Sequence, residues 1–183
     1  MKKVTTFILN KQNIADFAKE RNNLLQKAKT DWVLFLDNDE KLSSSITEIS
    51  DKYDGYILKR KNYFLGQYVG TDNIVRLGKR EFTTWKRSVH EIWDIKNVGK
   101  LNIYIIHNTA DSLSEYLKKM NNYSDLHAAA NLQEGKKSNL LKIILFPIAK
   151  FFVTLFKSKN VVFSIMQSLH SYLAWTKLYF LQH

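Results

Sequence analysis

The chain has 183 residues, enough for one domain with a hydrophobic core but too few for two large ones. Hydrophobic residues make up 45% of the chain and aromatic residues 13%, with a single Pro, which excludes a disordered protein. The absence of Cys excludes disulfides and thiolate metal sites and agrees with a reducing compartment. The net charge of +11 indicates an anionic partner, either nucleic acid or an acidic membrane surface.

The first part of the chain predicts a strand, a helix and a second strand. Val4 to Leu9 has the composition of a strand, and apolar residues recur at helical spacing from Ile14 to Ala28. Trp32 to Leu36 is a continuous apolar run, too short for a helix, which predicts a strand buried on both faces. This order implies a right-handed crossover and parallel pairing of the two strands.

Arg21 lies on the buried stripe of the predicted helix. Its stem can cover apolar neighbours with the guanidinium in water, or the guanidinium can point at a bound diphosphate. The spacing alone favours the first arrangement.

The second strand ends in a cluster of carboxylates. Asp37, Asp39 and Glu40 lie within four residues at the expected carboxyl end of a central strand, where open α/β sheets place their ligands. Like charges at this spacing are costly unless a cation or hydrogen-bond donors offset them. Mg²⁺ or Mn²⁺ holding a diphosphate would do so, and an acidic turn is the alternative. The motif alone does not separate the two.

The middle of the chain predicts further strands and turns. Ser43 to Ser45 can cap a short helix from Ile46. The aromatic segment from Tyr63 to Gly70 fits a hairpin slightly better than a loop facing an acceptor. Three further strands are predicted, Tyr56 to Lys61, Asn73 to Arg80 and Leu101 to Ile106, the last ending at His107.

The last part of the chain predicts helices. Asp111 or Ser112 can cap a long helix through about Gln133, and two apolar stretches follow the break after Glu134. No further acidic residue follows Glu134, and lysines interrupt both apolar stretches, so neither predicts a membrane-spanning helix. Such helices suit a membrane interface or, nearly as well, a helical hairpin packed on the domain or on a second copy of the chain.

Several stretches, taken together and in order, resemble the inverting family 2 glycosyltransferases, closest to members that extend bacterial lipopolysaccharide or other surface glycans. They are Phe17 to Asn23, Asp31 to Glu40, Arg76-Leu77, Val89-His90-Glu91, and His107 followed by Ser112 to Tyr116. The resemblance covers nearly the whole chain from about Val4. It implies an α/β fold, a shortened GT-A (nucleotide-diphospho-sugar transferase, Rossmann-like) mixed sheet over residues 1–134, with a basic amphipathic helical extension over residues 135–183.

The resemblance also implies a function. This is metal-dependent transfer of a sugar from a nucleotide-sugar donor to a glycan or lipid-linked acceptor in cell-envelope polysaccharide synthesis. Asp37 and Asp39 match the family's Asp-Xaa-Asp motif and would hold Mg²⁺ or Mn²⁺ and the donor diphosphate. Glu40 would be an adjacent support or a donor contact.

Three more residues receive roles by the same resemblance. Glu91 would be the catalytic base that takes the proton of the acceptor hydroxyl. His107 would be a further metal or phosphate ligand, and Arg21 a phosphate contact. The expected location is the cytoplasmic side of the cell membrane, on its anionic surface, with a homodimer as a further expectation.

One departure from the family concerns the nucleotide. Family members normally begin with a strand, a helix and a strand that bind the base and ribose, and the first strand of this chain corresponds to their third. The resemblance therefore implies that most of the base-binding pocket is absent. A compact relative that binds its donor through the diphosphate and sugar, a protein without transfer activity, and a gene model lacking its beginning are all open explanations.

Two other function classes compete with the enzyme. A non-catalytic subunit of the glycan machinery would keep the fold without binding a donor. A nucleic-acid binder would use the net charge of +11 and the abundant aromatic residues. The nucleic-acid binder ranks lower, because the basic residues are concentrated among aliphatic helices.

Overall fold

A computed structural model describes residues 2–10, 14, 16–81, 83–86 and 91–183 of the chain. Within these ranges it is a mixed α/β structure with eight strands and four helices. Val89 and His90 of the Val-His-Glu motif lie outside the described residues. The chain divides into two compact units, one of Met1–Asn62 with Thr71–Asn108 and the other of Tyr63–Gly70 with Thr109–His183.

Strands make up most of the first part of the chain, and helices most of the last part. The strands are β1 (Val4–Leu9), β2 (Trp32–Asp37), β3 (Glu40–Leu42), β4 (Gly55–Phe64), β5 (Gln67–Lys79), β6 (Thr84–Lys86), β7 (Ile92–Asp94) and β8 (Val98–Asn108). The helices are α1 (Phe17–Lys27), α2 (Leu113–Gln133), α3 (Leu140–Ser158) and α4 (Val161–Leu181).

Six strands form one mixed sheet in the order β1-β2-β5-β4-β8-β3. β1 pairs with β2 in parallel, with α1 as the crossover, which confirms the predicted strand, helix and strand. β2 pairs with β5, and β3 with β8, in antiparallel orientation. The short strands β6 and β7 form a separate two-stranded sheet. The sheet brings the ends of β2 and β3 together with β8, where the acidic residues and His107 lie.

β2 is buried on both faces, as its apolar run predicts. Successive side chains of a strand point to opposite faces. Val33 and Phe35 therefore pack in the cluster that includes residues of α1, whereas Trp32, Leu34 and Leu36 pack in a second cluster with residues of β4, β5 and β8. The two clusters hold β2 rigidly and so fix the position of the carboxylates that follow it.

One predicted element is absent and another is confirmed. Residues 43–50 contain no helix, so the short helix predicted from Ile46 is wrong. Ser43 instead continues the pairing with β8, because its amide donates to the Tyr104 carbonyl and its hydroxyl accepts from the Tyr104 amide. The aromatic hairpin is confirmed, since β4 turns into β5 at Leu65 and Gly66, both at positive φ, as a tight hairpin turn requires.

The second compact unit contains all of α2, α3 and α4 together with the tip of the β4–β5 hairpin. Ser112 caps α2 by accepting from the Glu115 amide, as predicted. The predicted boundary at Glu134 lies inside this unit, where Gly135 adopts a positive φ between α2 and α3. No helix in the described part of the chain has both the length and the apolar character needed to cross a membrane.

Candidate active site

Asp37, the last residue of β2, is held between two arginines. Arg21 from α1 donates to one oxygen of the carboxylate at 2.5 Å, and Arg76 from β5 donates to the other at 2.8 Å. All three side chains are at most 3% exposed. Two guanidinium groups therefore supply the offset that the acidic cluster requires.

Strand and helix geometry explain why Arg21 meets Asp37. Asp37 points to the same face of β2 as Phe35, which packs in the cluster containing α1 residues. The Arg21 guanidinium lies over the Trp85 and Phe35 rings, with its central carbon 4.7 and 5.6 Å from their centroids. The guanidinium is thus buried rather than in water, and its contact with a donor phosphate stays a prediction.

Glu40 supports this arrangement from the start of β3. One carboxylate oxygen accepts from Arg76 at 3.2 Å and from Arg60 at 3.0 Å, while the other accepts from the Asp37 amide at 3.0 Å. The side chain is completely buried. Glu40 therefore fastens the turn between β2 and β3 and fixes the backbone of Asp37.

Glu91 lies on the more open side of the same arginines. Its Oε1 accepts from Arg21 Nε at 3.0 Å, and Arg76 Nη1 lies 3.9 Å from the same oxygen. The Glu91 side chain is 15% exposed, unlike the nearly inaccessible Asp37. This exposure leaves Glu91 able to meet a ligand while Arg21 fixes its orientation.

Asp39 and His107 face each other, with Asp39 Oδ2 and His107 Nε2 3.6 Å apart. The other ring nitrogen, Nδ1, lies 2.8 Å from the side-chain oxygen of Asn62, whose amide nitrogen donates to Asp72 at 3.1 Å. Because the Asn62 oxygen can only accept, Nδ1 is the donor, and in the neutral ring Nε2 carries the lone pair. Hydrogen bonds of this kind orient metal-ligating histidines.

The predicted metal ligands fall into two groups. Among the described residues, no group of three or more His, Asp and Glu side chains is arranged to hold a metal ion. Both oxygens of Asp37 are taken by arginines, whereas Asp39 and His107 form a partly exposed pair. The pair fits a divalent ion as one oxygen and one nitrogen ligand, with the remaining positions left for phosphate or water.

Arg60 joins the buried and the partly exposed parts of the site. It donates to Asp72 through two nitrogens, at 3.1 and 2.6 Å, and to Glu40. Burial alone would lower the pKa of Arg60, but the hydrogen bonds and charges of Asp72 and Glu40 raise it. Burial alone would also lower the pKa of Arg76, but the charges of Asp37, Glu40 and Glu91 raise it. Both guanidinium groups therefore stay charged.

Asp72 is expected to make the stability of the chain sensitive to acid. Burial alone would raise the pKa of its carboxyl, but the hydrogen bond and charge of Arg60 lower it below the ordinary value. A lowered pKa in the folded state stabilises the protein above the ordinary aspartate pKa of about 3.9, and this contribution is lost as the pH falls through the folded pKa. The side chain is 46% exposed, so solvent screening keeps the effect small.

Urea unfolding of the wild type and Asp72→Asn at a series of pH values measures this contribution. We expect the wild type to be more stable at neutral pH and the difference to shrink below about pH 4. Asp31→Asn, at an exposed position, is the control. A difference that grows in acid would have the opposite sign and would exclude the lowered pKa.

The structure also shows site residues that sequence reasoning did not assign. Arg76, Arg60, Asn62 and Asp72 complete the hydrogen-bonded network. Arg76 had a usable signal, since it lies between apolar neighbours in a predicted strand, where a buried charge requires a partner. Asn62 and Asp72 carried no usable signal in the sequence, because ordinary surface positions of a hairpin carry the same residue types.

Comparison with known proteins shows a distant sequence similarity to a glycosyltransferase. No family model matches the chain. It is similar to the lipopolysaccharide core biosynthesis glycosyltransferase LpsC of Rhizobium meliloti (strain 1021), with 25% identity, covering 78% of this chain and 58% of that protein. The chain thus spans less than two thirds of the length of this curated relative.

Proposed function

We propose that the chain transfers a sugar from a nucleotide-sugar donor to a glycan or lipid-linked acceptor in cell-envelope polysaccharide synthesis. The observation that carries the proposal is the Asp39 and His107 pair, two metal-type ligands 3.6 Å apart, beside the buried acidic end of β2. The similarity to a lipopolysaccharide core glycosyltransferase supports the same class of reaction. The inverting, family 2 and shortened GT-A assignments are part of this proposal.

Glu91 is the proposed catalytic base. It would take the proton of the acceptor hydroxyl as that oxygen attacks the anomeric carbon of the donor, while the bond from this carbon to the diphosphate oxygen breaks. A single displacement of this kind inverts the anomeric configuration. The hydrogen bond from Arg21 Nε to Glu91 holds the carboxylate in one orientation for the transfer.

Asp39 and His107 are the proposed ligands of Mg²⁺ or Mn²⁺. A bound divalent ion would stabilise the negative charge of the departing nucleoside diphosphate. Asn62 and Asp72 fix the His107 ring so that its Nε2 faces Asp39. In the neutral ring the Nε2 lone pair faces the Asp39 carboxylate, an arrangement that a bound cation would stabilise.

The roles of Asp37, Glu40 and Arg21 differ within this proposal. Asp37 and Glu40 are buried, and Glu40 accepts from the Asp37 amide, so their main role is to hold the turn that carries Asp39. Arg21 holds both Asp37 and Glu91. A phosphate contact by Arg21, and a donor contact by Asp37 or Glu40, would require these buried groups to rearrange when the donor binds.

A non-catalytic subunit of the glycan machinery is the second candidate. It is favoured by one observation, that arginines occupy both oxygens of Asp37, so this carboxylate is paired without a ligand. Such a protein need bind neither metal nor nucleotide. Binding measurements separate the two candidates.

Isothermal titration of the chain with a nucleoside diphosphate, with and without Mn²⁺, tests the proposed site. We expect binding that depends on the metal and is lost in Asp39→Asn. Asn62→Leu, which frees the His107 ring, is expected to weaken it by about 10- to 100-fold. Asp94→Asn, at an exposed ion pair with Lys86, is the matched control and should bind normally. Nucleotide binding that is the same with and without Mn²⁺ would argue against the proposed metal site. Absence of nucleotide binding would favour the non-catalytic subunit.

A further inference from the structure

Helix α3 has an apolar stripe that faces away from the protein. Its buried residues, Pro147 and Thr154, belong to the side that packs on α4. A different side carries large apolar residues that are 51 to 80% exposed, with Phe156 the most exposed. They recur at spacings of three and four, which puts them in one line along the helix: Leu141, Leu145, Ile148, Phe152 and Phe156.

Helix α4 has a similar stripe. Ser164, Ala174 and Leu178 are its buried residues, and the helix packs on both α2 and α3. Val161, Val162, Ile165, Leu169 and Tyr172 are 37 to 57% exposed and again follow helical spacing. Monomeric proteins in water rarely expose apolar surface of this extent, so the two stripes indicate an interaction site.

The charge of this segment indicates the kind of partner. Residues 135–183 contain no Asp and no Glu, and they contain seven lysines: Lys136, Lys137, Lys142, Lys150, Lys157, Lys159 and Lys177. Lys150 and Lys157 are exposed and lie seven residues apart, which places them on one side of α3, separate from its apolar stripe. The Lys142 ammonium instead donates to the Lys137 carbonyl and lies over the Trp175 ring of α4. A helix with an apolar stripe on one side and exposed lysines on another is complementary to acyl chains with anionic headgroups above them.

Other occupants fit less well. A second copy of the chain that met this surface with the same surface of its own would bring a further Lys150 and Lys157, with no Asp or Glu from residues 135–183 to offset them, so the charges would repel. Nucleic acid would match the lysines but leave the aliphatic side chains exposed, because stacking requires aromatic faces along a polar groove. An anionic lipid surface satisfies both features at once.

We propose that α3 and α4 lie in the surface of an anionic membrane, with their exposed apolar stripes among the acyl chains and the exposed Lys150 and Lys157 at the headgroups. This surface does not depend on the proposed transferase activity. It requires only the second compact unit, and a chain without any enzymatic activity would bind in the same way.

Flotation of the full chain with vesicles tests the proposal, using phosphatidylcholine with or without phosphatidylglycerol. We expect binding to the anionic vesicles that salt weakens. Phe152→Glu and Phe156→Glu should each lower the partition coefficient by about tenfold or more, since each removes an aromatic side chain that would lie among the acyl chains. Lys150→Gln should lower it by about fivefold. Both phenylalanines are exposed, so circular dichroism should show unchanged helix content.

Two control variants lie on α2. Leu117→Glu changes an exposed apolar residue and Lys118→Gln an exposed lysine, and neither should alter vesicle binding. Equal binding to neutral and anionic vesicles would refute the role of the lysines. Absence of vesicle binding, with light scattering showing a dimer that Phe156→Glu dissociates, would assign the surface to a second copy instead.

Discussion

Replacing Glu91 with glutamine is expected to lower sugar transfer by about a hundredfold to ten-thousandfold, the range for loss of a general base. The amide has the shape of the carboxylate and keeps an oxygen that can accept from Arg21 Nε, but it cannot take the proton of an acceptor hydroxyl. The loss should be in kcat rather than in donor binding. Steady-state release of nucleoside diphosphate, together with donor titration, measures both.

Glu48→Gln is the matched control for this prediction, because it makes the same chemical change at an exposed position. It should leave kcat and stability unchanged. Arg21 retains its ion pair with Asp37 in Glu91→Gln, so the variant should remain folded by tryptophan fluorescence. A folded Glu91→Gln variant with wild-type kcat would assign the base to another residue.

Replacing Arg76 with methionine is expected to lower the free energy of unfolding by about 3–5 kcal/mol, as is usual when one partner of a buried ion pair is removed. Asp37 and Glu40 are nearly inaccessible to water, and Arg76 donates to both. The remaining Arg21 and Arg60 would offset part of their charge. Urea unfolding followed by tryptophan fluorescence measures the change, since Trp32, Trp85 and Trp93 are buried in the same unit.

Two further variants make this prediction specific. Arg80→Met is the matched control, because Arg80 donates to the Ala28 carbonyl rather than to a buried carboxylate, and a smaller loss is expected. The double variant Arg76→Met with Glu40→Gln should recover part of the stability, because it also removes a buried negative charge that Arg76 would otherwise offset. A loss below about 1 kcal/mol in Arg76→Met would be typical of an exposed pair and would contradict a buried network.

The sequence predicted the elements whose signals are local and strong. The apolar run of Trp32 to Leu36 required a strand covered on both faces, and every residue of β2 is buried. The periodic stripe of α1 and the serine cap of α2 were equally clear. These features depend on neighbours within a few residues, which a single sequence shows directly.

The helix expected from Ile46 shows where local signals fail. Ser43 to Ser45 resemble a helix cap, but Ser43 exchanges hydrogen bonds with Tyr104, 61 residues further along the chain. Pairing with β8 satisfies the same groups that a cap would use. Nothing in the local sequence indicates which of these arrangements is formed.

The site was predicted only in part, because several of its contacts join residues that are far apart in the sequence. The carboxylates of Asp37, Asp39 and Glu40 were expected at the end of a central strand, which is where the structure has them. Arg76 is 39 residues from Asp37, so their pairing depends on the antiparallel contact of β2 with β5. Arg21 was expected to keep its head in water, because a helix pattern cannot show that two carboxylates converge on it.

The most direct test of the proposed function is donor turnover by the purified chain with Mg²⁺ or Mn²⁺ and a panel of nucleotide sugars. We predict that at least one donor releases its nucleoside diphosphate, by hydrolysis or transfer, and that a chelator stops the reaction. A chain that is folded by circular dichroism but neither hydrolyses nor transfers from any donor would contradict the assignment as a glycosyltransferase.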